Sequence, residues 1–116
     1  MEATGLCFEV AGEWFMDQCL AGRGDDMRLC HGIPTLQVPP YIQFWHGWVE
    51  IWTEPLIVVR NDKNPEARIP RDLFYAIGQI DPARVRRYTF ADLKHWATKT
   101  NSWGPWEYRP EDAGIP

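Results

Sequence analysis

The run Ile42-Gln43-Phe44-Trp45-His46-Gly47-Trp48-Val49-Glu50-Ile51-Trp52 constrains this chain most. It is rich in aromatic and β-branched residues, which fit the pleated, half-buried surface of a strand. It therefore predicts a strand over about residues 42–52 with a histidine fixed inside it. On alternation, Phe44, His46 and Trp48 share one face, and Trp45, Val49 and Ile51 fall among the residues of the other. A histidine between Phe44 and Trp48 reads first as a core residue. Gly47 beside it leaves room for a backbone or a substrate to approach.

The flanking segments give the architecture. Residues 6–20 carry Leu6, Val10, Trp14 and Ala11, Phe15, Cys19 at helical spacing, with Glu9, Glu13 and Asp17 opposite. Thr4 is the expected N-cap, which places Cys7 at the third helical position, and Ala21-Gly22-Arg23-Gly24 ends the helix. Met27–His31 reads as a short strand, and the proline-rich residues 32–41 as an ordered loop. Thr53-Glu54-Pro55 turns the chain into the strand Leu56-Ile57-Val58-Val59, forming a hairpin with the His46 strand. Pro70 and Gly78 bracket a short helix, Arg84–Tyr88 is a weak strand, and Thr89-Phe90-Ala91-Asp92 opens a last helix through about Lys99. Trp103 and Trp106 anchor the tail. The order predicts an α+β fold with an N-terminal helix packed on one side of a small antiparallel sheet.

At 116 residues the chain reads as one domain, residues 1–116, with 1–4 and 107–116 loosely ordered. Its length suffices for a hydrophobic core without disulfide staples. Three cysteines without CxxC spacing argue against a disulfide framework or a zinc ribbon, so no metal site and no cofactor are expected. The pair Cys30-His31 is too sparse a signal for a metal, and His95 in the last helix reads as a surface residue. No apolar run approaches the length of a membrane span, and the N-terminus lacks the basic start of a signal peptide. The expected compartment is the cytoplasm. Residues 1–59 carry a balance of −6 and residues 60–116 one of +2, which argues against nucleic-acid binding. Arg84-Val85-Arg86-Arg87 reads as a solvated strand face.

The chemistry rests on three residues. A thiol becomes a nucleophile as the thiolate, which a helix N-terminus and a neighbouring imidazole favour. Cys7, expected in the first turn, meets the first condition; Cys19, near the other end of that helix, and Cys30, in a strand, do not. His46 is the candidate general base and acid. Asp62 or Asn61, just beyond the next strand, is the candidate for orienting the imidazole, as in the general triad arrangement. Gln43 is a candidate for the oxyanion position, and Trp45 and Trp48 for the walls of a substrate groove.

Gly5-Leu6-Cys7-Phe8, Leu29-Cys30-His31-Gly32 and His46-Gly47-Trp48-Val49-Glu50 together resemble small bacterial and phage members of the papain-like and transglutaminase-like cysteine enzymes. The resemblance implies a papain-like or transglutaminase-like core, with Cys7 as nucleophile, His46 as base and Asp62 as orienting group. It implies a cysteine hydrolase or acyltransferase acting on an amide or ester, with peptide or protein as the expected substrate, in the host cytoplasm if the gene is a phage's. Gly47 stands where such chains have alanine, the next strand ends in Arg60-Asn61-Asp62 rather than directly in Asp, and only six residues precede Cys7. The alternative is a non-catalytic, phage- or plasmid-type inhibitor that binds a protein partner through an acidic, tryptophan-rich surface.

Overall fold

The long helix of this protein forms from a nearly unbroken set of helix-compatible residues, and it starts earlier than the capping signal implies. The computed structural model describes residues 2–53, 57–59 and 68–107, with 2–6 and 57–59 described by backbone only. Helix α1 spans Glu2–Leu20. Thr4 therefore lies inside the helix, because Glu2, Ala3 and Thr4 continue it without a breaker. This corrects the position of Cys7: it is the sixth helical residue, in the second turn, past the four N–H groups a helix leaves open at its start.

The strands are β1 (Met27–Gly32), β2 (His46–Ile51), β3 (Ile57–Val59), β4 (Arg68–Pro70) and β5 (Arg86–Tyr88). They form one sheet in the order β4-β3-β2-β1-β5. Every pairing is antiparallel, so the chain has an α+β architecture. Strand β2 is shorter than the β-prone run, because residues before His46 belong to the loop. There Thr35 bridges Gln43, and Leu36 N–H donates to Ile42 O at 2.8 Å. His46 thus stands at the start of its strand rather than in its middle.

Both faces of the sheet are covered, not one. On the first, α1 and α3 (Phe90–Thr100) bury Phe15, Met27, Leu29, Val49, Tyr88 and Leu93. On the second, α2 (Arg71–Gly78) closes over Cys30, Trp48, Tyr75, Ile80 and Val85. The second helix was expected in the sequence, but nothing local to it specifies which face it covers. Alternation within β1 and β2 supplies apolar residues to each side, which makes two cores possible. Glu9, Glu13 and Asp17 are exposed along the outer side of α1.

Thr89 caps α3 as its sequence predicts: Asp92 N–H donates to Thr89 Oγ1 at 3.2 Å and Thr89 N–H donates to Asp92 Oδ2 at 2.9 Å. Beyond α3 the chain folds back, placing Trp106 in a stack on Trp96 with ring centroids 6.5 Å apart. Residues 108–116, the larger part of the tail expected to be loose, lie outside the described residues. Among the described residues no helix is long and apolar enough to cross a membrane.

Candidate active site

Helix α1 runs along the sheet with its Cys7 end at the beginning of β2. A Cβ built on Gly47 would stand 3.0 Å from Phe8 Cδ1 and 3.4 Å from Phe8 Cα. Phe8 and Gly47 are the residues next to Cys7 and His46, so this contact brings the two segments together, with Gly47 facing α1 and the His46 side chain on the Trp48 face of the strand. Farther along, Phe15 packs with Leu29 and Val49, which fixes the direction of the helix. Glycine at 47 eases the close approach, since even a methyl group there would make Phe8 give by a few tenths of an ångström.

Cys7 is 2% exposed. His46 is half-buried, edge-on to Phe44 at 5.8 Å and stacked on Trp48 at 6.1 Å. Strand β3 pairs Ile57 with Ile51 and Val59 with Val49, so it runs toward the end of β2 that carries Gly47 and His46. Asn61 and Asp62, the candidates for the orienting role, lie outside the described residues. Gln43 is half-buried three residues before His46 and is held by its bridge to Thr35. Trp45 is half-buried, and its indole N–H is enclosed without a hydrogen-bond partner among the described residues.

Trp48 is not a groove wall. It is 1% exposed and packs against Phe74 and Tyr75, so it belongs to the second core. The space beside His46 has other walls: Leu36, Phe44, Ile69, Phe74, Ile77 and Ile80 line most of a cleft of about 310 Å³, with Thr35 and Gln37 also in its lining. The loop wall is fastened to α2 by Thr35 N–H donating to Gly78 O at 2.7 Å. Of the seven tryptophans Trp52 is exposed, Trp48 is buried and the other five are half-buried.

Sequence reasoning missed the role of Glu50. Its side chain is fully buried and accepts from four donors. Trp52 Nε1 at 3.0 Å and Arg87 Nε at 3.4 Å reach one oxygen; Trp48 Nε1 at 3.1 Å and the Tyr75 hydroxyl reach the other. Arg87 Nη2 also donates to the Tyr75 hydroxyl at 3.0 Å. Burial alone raises the carboxyl's pKa, but the hydrogen bonds from Tyr75, Trp52 and Trp48 and the charge of Arg87 outweigh it and hold it below the usual range. A carboxylate so fully engaged serves as a tie between β2, β5 and α2. Arg87, read from sequence as part of a solvated face, turns inward because this buried charge requires a partner. The available signal was the placement of Glu50 on the Trp48 face of a strand with two covered sides.

Cys30 and His31 are adjacent, yet they leave β1 on opposite faces and do not converge on one ion. Cys30 packs with Trp48, Tyr75, Ile80 and Val85. Burial pushes its thiol well above the ordinary range, and Glu50 pushes it further, which makes it a poor nucleophile. His31 lies among Phe8, Tyr88 and Trp106 at centroid distances of 4.7, 5.0 and 4.9 Å. Burial, and after it the neighbouring His46, lowers its pKa to about 3, so the ring is neutral near pH 7. His95 is exposed on α3, as its sequence context suggests.

No known protein family, curated protein or solved structure matches the chain.

Proposed function

We propose that this protein is a small cysteine hydrolase or acyltransferase with a papain-like or transglutaminase-like core, acting on an amide or ester of a peptide. The observation that carries the reading is the packing of Phe8 on Gly47, which draws the segments that carry Cys7 and His46 together at one end of the sheet. The direction of β3 supports a role for Asp62, or Asn61 in its place, at the same end. The His46 cleft then offers a place for the acyl group beside the catalytic imidazole.

In this mechanism His46 takes the proton of the Cys7 thiol, and the sulfur attacks the carbonyl carbon. The tetrahedral intermediate collapses with His46 protonating the departing amine or alcohol, leaving a thioester. His46 then deprotonates a water or an acceptor amine, whose attack releases the acyl group and restores the thiol. With Cys7 in the second helical turn, activation falls mainly to His46 rather than to the helix terminus. No disulfide joins the three cysteines, which fits a reducing compartment such as the cytoplasm.

The test is acyl transfer from an activated peptide ester, followed by mass spectrometry of the protein. A thioester on Cys7 that disappears in Cys7→Ala and accumulates unhydrolysed, or fails to form, in His46→Ala is the expected result. Turnover that survives Cys7→Ala overturns the proposal.

A second reading is a non-catalytic module that binds a protein partner, favoured by the near-complete burial of Cys7. It predicts specific partner binding that is unaffected by Cys7→Ala, with no acyl adduct in the wild-type protein.

A further inference from the structure

The loop between β1 and β2 projects an apolar finger. Residues 37–42 are exposed in an unbroken row, Gln37 followed by Val38-Pro39-Pro40-Tyr41-Ile42. Val38 is 58%, Tyr41 60% and Ile42 42% exposed. A run of this kind left in water is a liability unless something covers it. The finger is firmly built. Thr35 bridges Gln43 at its base, Leu36 N–H donates to Ile42 O at 2.8 Å, and Tyr41 N–H donates to Val38 O at 2.8 Å. At the tip Tyr41 has φ of 57°, a left-handed conformation that a residue with a bulky side chain seldom adopts. Strain persists where a side chain has a task. Beside the finger lies the cleft of about 310 Å³, which shares Leu36 and Gln37 with the finger's base. None of residues 38–42 lines it, so the finger stands clear of its own cleft. On α2, Ile77 lines the cleft and Leu73 stands one turn before it; both are 50% exposed.

We infer that the protein forms a two-fold dimer in which the finger of each copy, led by Tyr41, seats in the cleft of the other. A two-fold interface uses one patch twice, so the patch must complement itself, and a projection beside a hollow does so. The exposed side chains of Val38, Tyr41, Ile42, Leu73 and Ile77 together form an apolar patch of roughly 500 Å², near the top of what a monomer shows. A stable dimer buries about 800 Å² per partner, a difference that Pro39, Pro40 and the cleft lining are placed to supply. A tyrosine suits the cleft, since its ring gains by burial and its hydroxyl meets the polar groups of Thr35, Gln37 and His46. Residues 32–49, which build the finger, contain no Asp, Glu, Lys or Arg, so two fingers approach each other without like charges meeting. The same stretch brings no cation to lipid headgroups, which makes a membrane the poorer occupant. With the turn already formed, docking orders little. The dimer is thus the closed form of the cleft, and the inference stands whether or not the site is catalytic.

Sedimentation of the full chain over a dilution series should show a monomer–dimer equilibrium with Kd of about 1–100 µM. Tyr41→Asn keeps a residue at home in the left-handed region and should weaken the dimer about tenfold or more. Ile77→Glu should do the same from the cleft side, with Leu73→Glu as the second cleft-side variant. All three side chains are exposed, so circular dichroism should show each variant folded. The decisive measurement mixes Tyr41→Asn with Ile77→Glu. Neither variant alone has an intact finger–cleft pair, whereas the mixed dimer keeps one, the finger of the Ile77→Glu copy in the cleft of the Tyr41→Asn copy. A mixed dimer tighter than either variant's own is the expected result. No gain on mixing, or a dimer indifferent to Tyr41→Asn, overturns the inference. So does a wild-type protein that stays monomeric at about 500 µM, because the finger's occupant is then a different molecule.

Discussion

Trp48 donates its indole N–H to Glu50 Oε2 across 3.1 Å, joining two residues that stand on one face of the same strand. The same indole supports the His46 ring at its other side, so the buried carboxylate is connected to the candidate site through a single side chain. Stability and site geometry are linked at this point.

Glu50→Ala should therefore be among the most damaging single substitutions. It leaves the guanidinium of Arg87 without its acid and the indole of Trp48 without its acceptor. Breaking a buried pair of this kind costs about 3–5 kcal/mol. Glu50→Gln should cost less but remain destabilising, since an amide brings its own donors toward a carboxylate site already ringed by donors. Urea unfolding measures both, and a loss under about 1 kcal/mol for Glu50→Ala would contradict the tie assigned to it.

Stability should fall in acid. His31 binds a proton near pH 6.5 when unfolded but only near pH 3 when folded, so the unfolded state takes up the extra proton between those values. Over that window stability drops as pH falls, by roughly 1.4 kcal/mol per unit for this one group. Glu50 acts in the same direction: its carboxyl is held below the usual range when folded, so its contribution is present above the unfolded pKa and is lost as pH falls through the folded one. His31→Phe should flatten the pH dependence between pH 6 and 4. Equal slopes in the wild-type protein and the variant would rule His31 out as the cause.

The three thiols should differ sharply toward iodoacetamide at neutral pH. Cys30 should resist alkylation until the protein unfolds, because it is fully buried and its thiol is pushed upward. Cys19 is more accessible, but burial and the charge of Asp25 raise its pKa and slow it. Under the proposed function Cys7 reacts first, at least tenfold faster than Cys19, and His46→Ala removes that advantage. A Cys7 that reacts no faster than Cys19 counts directly against the enzyme.

Gly104→Ala should destabilise the packing of the tail on the first core. Gly104 has φ of 122°, a conformation that side chains rarely adopt, and an added Cβ would stand 2.5 Å from the Cε1 atom of His31. The expected loss is about 1–3 kcal/mol. Thr89→Ala is a milder comparison: it removes the cap of α3 and should cost about 1 kcal/mol. A thermal melt in which Gly104→Ala is no worse than Thr89→Ala would show that the contact with His31 yields freely.

Much of the local structure was legible in the chain. The Thr89–Asp92 capping box, the pairing of β2 with β3, and the start of α2 after Pro70 each follow from a few neighbouring residues, whereas the left-handed residue that ends α2 is Gln79 rather than Gly78. The start of α1 was not, because Thr4 offers a cap that the better helix formers before it overrule. The start of β2 was not either: residues 42–45 have the composition of a strand, but the backbone of the loop finds its partners in Pro34 and Leu36. Propensity describes each residue's preference and not the partner available to it.

By itself the sequence determined the three helices, four of the five strands, the antiparallel hairpin and the residue types able to do nucleophilic chemistry, since these depend on spacing along the chain; β4, three residues long, it did not show. Tertiary structure decided that α2 covers the second face, that Glu50 and Arg87 meet across 37 positions of sequence, and that Trp48 is core rather than groove. It also set Phe8 against Gly47, the contact on which the candidate site rests. Such outcomes depend on which faces meet when the layers close, and burial of apolar area and satisfaction of buried charge act on the assembled molecule.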